Sequence, residues 1–109
     1  MSTQPIDLST PTTKVLAIGQ FTEKALDPAK RLPVMMHEVP ATLRLHLAGK
    51  IEQWFIKPDL SGPVFIMDSP GIEDAREILS KLPLGIEGMM RFDLIPLGPL
   101  TPLRLLLND

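Results

Sequence analysis

The chain has 109 residues, the length of one small domain, with 44% apolar and 22% charged residues, a globular rather than disordered balance. Thirteen acidic side chains against eleven basic leave a formal charge of −2, and the Lys and Arg are scattered, so nucleic acid is not an expected partner. There is no cysteine, which excludes disulfides, a thiolate nucleophile and Cys-based zinc sites.

The N-terminal "MSTQPIDLSTPTT" lacks the basic start and apolar core of a signal peptide, and no apolar run approaches a bilayer span. A soluble, cytoplasmic protein without membrane contact is expected. Residues 1–13, rich in Ser, Thr and Pro, read as a flexible arm, residues 14–99 as the folded domain, and 100–109 as a tail packing on a partner subunit.

"KVLAIGQFTE" (14–23) is short, apolar and partly β-branched, and predicts a first strand. From Leu32 to Ala48, Leu32, Met35, Met36, Val39, Leu43 and Leu47 recur at helical spacing before Gly49, a suitable C-cap. Pro40 inside that pattern predicts either a kink or a regular helix starting near Val39. "KIEQWFIK" (50–57), "PDLSGP" (58–63) and "VFIMD" (64–68) predict a hairpin.

The polar segment 68–85 carries helix signals. Ser69 is placed to cap, Pro70 to occupy the first turn, and Glu73 and Asp74 to meet the positive end of the dipole. Ile72, Ala75, Leu79 and Leu82 form an apolar stripe, and Pro83 with Gly85 marks the end. "GMMRFDLIPL" (88–97) predicts the last strand.

The order strand, helix, strand, strand, helix, strand predicts an α+β, ferredoxin-like βαββαβ domain with a four-stranded antiparallel sheet. Both helices of such a domain cover one sheet face. The strands nevertheless carry apolar residues on both: Val15 and Ala17 alternate with Leu16 and Ile18, and Val64 and Ile66 with Phe65 and Met67. A homodimer closing sheet on sheet into a dimeric α/β barrel, or a higher oligomer, is expected.

The segment from Gly49 through "WFIKPDLSGPVFIMDSPGIEDAREILSKLPL" resembles the muconolactone isomerase-like family in the spacing of Gly49, the hairpin, Asp68, Pro70, Glu73, Leu79 and "LPL" (82–84). The register runs without a gap from Gly49 to Leu84, about a third of the chain. The resemblance implies a dimeric α/β barrel in a large oligomer, and a proton shift along an unsaturated lactone without any cofactor, in a pocket between sheet and helices.

Such chemistry needs a base titrating near neutrality and a donor for the enolate oxygen. His37 and Glu38, in the Met-lined "MMHEVP", are the catalytic candidates, against a reading in which both are solvated on the helix exterior. His46 reads as a surface or interface residue, and the two histidines, nine apart, are not a metal pair; no metal site is expected. Trp54 is a candidate pocket wall or an interface residue. Gln20, Gln53 and Arg91, polar within apolar strands, are candidates for substrate binding, with the Arg91 guanidinium able to hold a carboxylate or to bridge a dimer. Two other readings remain: a non-catalytic small-molecule-binding or oligomerisation domain, and a cofactor-free monooxygenase of the same fold.

Overall fold

A computed structural model describes residues 10–100. The expected N-terminal arm up to residue 9 and the tail beyond Leu100 lie outside the described residues. Four strands, β1 (Lys14–Phe21), β2 (Ile51–Ile56), β3 (Pro63–Asp68) and β4 (Met90–Leu97), form one antiparallel sheet in the order β2-β3-β1-β4. A 3₁₀ turn (Glu23–Ala25) and helix α1 (Pro28–Leu47) connect β1 to β2, while helices α2 (Ile72–Ser80) and α3 (Pro83–Ile86) connect β3 to β4. This is a small α+β fold, and its order and topology are compatible with the ferredoxin-like arrangement.

Why these residues pair as they do is visible in β1. Val15, Ala17 and Gly19 point to the buried face, and Leu16 and Ile18 to the other, which is only half-covered. The hairpin needs Gly62: a Cβ there would stand 2.2 Å from the Gly19 carbonyl oxygen. That close approach lets Phe21 N–H donate to Ser61 O at 2.9 Å, tying the turn to the end of β1. Asp59 shapes the same turn, its carboxylate accepting from Ser61 N at 2.9 Å; hydrogen bonding by the Ser61 hydroxyl, and then by its amide, holds the Asp59 pKa below the ordinary value.

Helix α1 begins four residues earlier than the periodicity predicts. Asp27 caps it, Oδ1 accepting from Ala29 N at 3.0 Å, and Pro28 occupies the first turn, where a missing N–H costs nothing. It continues as one element through Pro40, so a start near Val39 is excluded. It ends in a Schellman arrangement: Gly49 takes φ +80°, and the Gly49 and Lys50 amides donate to His46 O and Leu45 O.

The face α1 buries also differs from expectation. Glu38 is buried, and Ala41 and Leu45 pack against the main core, with Val34 and Met35 on a second cluster. The richer stripe of Leu32, Met36, Val39, Leu43 and Leu47 is exposed, at 44–76%. The two stripes are offset by two residues, or about 200° around a helix, so apolar periodicity alone does not choose between them.

The main core lies between the helices and one sheet face, joining Val15, Ala17, Ile51, Phe65 and Met67 to Ala75, Leu79 and Leu82. The predicted α2 stripe therefore points inward. Its start is shifted, however: Gly71 rather than Ser69 holds the N-cap position, and Ser69 Oγ instead bonds Gly71 O at 2.8 Å and Asp74 at 2.9 Å. Pro83 does not simply end the segment; it opens α3 at a position that suits proline.

Across the opposite face, cross-strand neighbours set Gln53, Ile66, Leu16 and Ile95 in one row and Phe55, Val64, Ile18 and Asp93 in the next. Lys14 pairs with Glu52 and with Asp68 at one end of this face. Gln20, Arg91 and Lys57, which reaches Gln20 at 3.2 Å, lie at the other. No described helix is long and apolar enough to cross a membrane.

Candidate functional site

A cleft of about 500 Å³ opens on the helix-covered side of the sheet, between α1 and the β2–β3 hairpin. Phe21, Met35, Trp54, Ile56, Phe65 and Met90 supply most of its wall, and Val39 and Leu43, both exposed, stand at its margin. Glu38 and Thr42, one helical turn apart on α1, are its polar side chains besides the indole N–H of Trp54. No Lys, Arg or His lines it.

Glu38 is the only ionisable side chain among the described residues that is buried, at 7% exposure. Its Oε1 accepts from the buried Leu84 N–H at 2.8 Å, and its Oε2 from the Thr42 hydroxyl at 3.4 Å. The Leu84 amide is free to donate because it lies in the first turn of α3, where no helical carbonyl is available. Burial raises the Glu38 pKa above the ordinary value, and the two hydrogen bonds only partly offset this. The result is a carboxyl inside an apolar wall whose charged form is disfavoured relative to a solvated glutamate.

Trp54 is placed by register and by a stack. It pairs across the strand with Phe65, whose side chain is buried under the helices, so both rings face α1. The His46 ring lies on the indole at 4.2 Å between centroids and 28° between planes. His46 is itself held through Nδ1, 2.8 Å from Ile51 O; since a carbonyl only accepts, Nδ1 carries the proton. The stack and the bond to Ile51 O together fix one wall of the cleft.

The structure separates the other candidates from this cleft. His37 is exposed on α1, one residue from Glu38 and therefore turned about 100° away. Gln53 is exposed on the opposite sheet face, across from Ile66. Gln20 and Arg91 are cross-strand partners on that same face and border a separate polar cleft of about 530 Å³ with Thr22, Glu23 and Lys24. Of the six candidates, Glu38 and Trp54 alone line the cleft between α1 and the β2–β3 hairpin.

Sequence reasoning missed Thr42, the Leu84 amide and the His46 stack. The Glu38–Thr42 spacing of four was a readable signal on a helix. The other two join residues 46 and 8 positions apart through tertiary packing, which no local pattern encodes. Among the described residues, no group of three or more His, Asp or Glu is placed to hold a metal ion. No known protein-family model matches the chain, and a search of curated proteins finds no match.

Proposed function

We propose that the protein is a cofactor-independent small-molecule enzyme, similar to the muconolactone isomerase-like family, which shifts a proton along an unsaturated lactone or related ring compound. The observation that carries this reading is the buried Glu38 carboxyl in the apolar cleft beside Trp54. Glu38 removes a proton from the carbon next to the substrate carbonyl. The C–H electron pair moves into the conjugated system as an enolate, and Glu38, whose proton exchanges with solvent while it is held, returns a proton at the far carbon, so the product is an isomer and no co-reactant is needed. Leu84 N–H holds the carboxylate in place, and the Thr42 hydroxyl and Trp54 N–H are donors within the cleft.

Deuterium incorporation into α-angelica lactone, followed by NMR in D₂O, tests this. Enzyme-dependent exchange is expected in the unmodified protein and in His37→Ala, with a loss of roughly a hundredfold or more in Glu38→Gln. Equal exchange in Glu38→Gln would refute the assignment. The second reading, a binding domain without turnover, has one observation in its favour: Glu38 already serves as a cap for α3.

The same reading includes a homodimer closed through the half-covered sheet face. Leu16, Ile18, Phe55, Val64, Ile66 and Ile95 form its apolar middle. Lys14, Glu52 and Asp68 give one end a net negative charge, and Lys57, Arg91 and Asp93 give the other a net positive charge. A twofold axis that reverses the strands would set unlike ends together. Sedimentation should show a dimer at micromolar concentration and a monomer for Phe55→Glu; a monomeric unmodified protein overturns this part.

A further inference from the structure

We infer that the cleft between α1 and the β2–β3 hairpin selects an uncharged, compact ring compound bearing a single carbonyl group, and rejects its carboxylated analogue. The inference deepens the proposed function and rests on its site. It differs from the reading in which Arg91 holds a substrate carboxylate, the alternative to an Arg91 bridge across a dimer.

Size, wall chemistry and charge each contribute. About 500 Å³ falls within the usual range for small-molecule sites, about 300–1,000 Å³. The wall is aromatic and aliphatic, and its polar side chains are Glu38, the neighbouring Thr42 and Trp54. A ligand that extends one carbonyl toward Thr42, Trp54 or a protonated Glu38 satisfies its only polar group there. A ligand carboxylate would instead lose its water without gaining a cation, next to a carboxyl that can itself be ionised.

The cationic side chains nearest the site are otherwise engaged or elsewhere. The Arg31 guanidinium lies over Phe21, 5.5 Å from the ring centroid, but donates to Ala25 O at 2.9 Å and does not line the cleft. Arg91 borders the polar cleft on the other side of the sheet. Lys57 reaches Gln20 there.

Coumarin and coumarin-3-carboxylate form a matched pair of probes, differing by the charged group. Equilibrium dialysis with the full chain at neutral pH should show coumarin binding at least roughly tenfold tighter, the scale expected for an unpaired charge in an apolar site. In Leu43→Arg, a guanidinium enters at the margin of the cleft, where the leucine is 44% exposed. The preference for coumarin over the carboxylate should then fall roughly tenfold or more. Glu38→Gln, which removes the ionisable carboxyl, should narrow the discrimination between the two probes.

Equal or tighter binding of the carboxylate by the unmodified protein overturns the inference. So does failure of both probes to bind, as when the chain itself or a second copy fills the cleft. Coumarin binding without deuterium exchange on the lactone leaves the inference standing and removes the proton-shift reading.

Discussion

Replacing Glu38 by Gln and by Ala separates the two things its carboxyl does, accepting a hydrogen bond and carrying a charge. Gln keeps an oxygen for the Leu84 amide, which Oε1 meets at 2.8 Å. Ala leaves that buried N–H without a partner, a loss of about 1–3 kcal/mol. The stability difference between Glu38→Ala and Glu38→Gln should therefore be at least about 1 kcal/mol by urea denaturation, with all variants at one protein concentration so that any self-association affects them alike. The pH dependence has a defined sign. Burial raises the folded pKa, so between the ordinary glutamate value of about 4.3 and the raised value the folded state holds more protons than the unfolded state. The contribution of Glu38 to stability accordingly falls as pH rises through that window, is absent below it, and is a constant penalty above it. Glu38→Gln should remove this slope, and its stability relative to the unmodified protein should increase with pH. Equal stabilities for the Ala and Gln variants, or a difference from Glu38→Gln that does not vary with pH, would refute the burial argument.

Five further substitutions probe the frame around the site. Leu79→Ala, at a core position 3% exposed, should lose about 3 kcal/mol in the same denaturation experiment, whereas Leu43→Ala, 44% exposed, should change stability by less than about 1 kcal/mol. Gly62→Ala places a Cβ against the Gly19 carbonyl and should cost more than about 2 kcal/mol in thermal melts, while Gly71→Ala, with open space around it and extended backbone, should stay within about 0.5 kcal/mol. His46→Ala removes both the stack on Trp54 and the bond to Ile51 O, with an expected loss of about 1–2 kcal/mol and a shift in the emission of the only tryptophan.

The sequence by itself determined the alternation of elements. Strand β1 is β-branched and apolar, "PDLSGP" breaks the chain between β2 and β3, and Glu73 and Asp74 precede an Ala75–Leu79–Leu82 stripe that is buried where expected. These signals are local: a period of two or 3.6 residues, a turn residue, or a charge near a helix end acts over a few positions. Tertiary structure alone decided which side of α1 faces the sheet. That helix carries apolar residues on two opposite faces, so hydrophobicity is satisfied by either rotation about its axis. The rotation adopted buries Glu38 and exposes His37 because Ala41 and Leu45 fit the closely packed core, while the unsatisfied Leu84 amide, 46 residues away, supplies the partner a buried carboxyl requires.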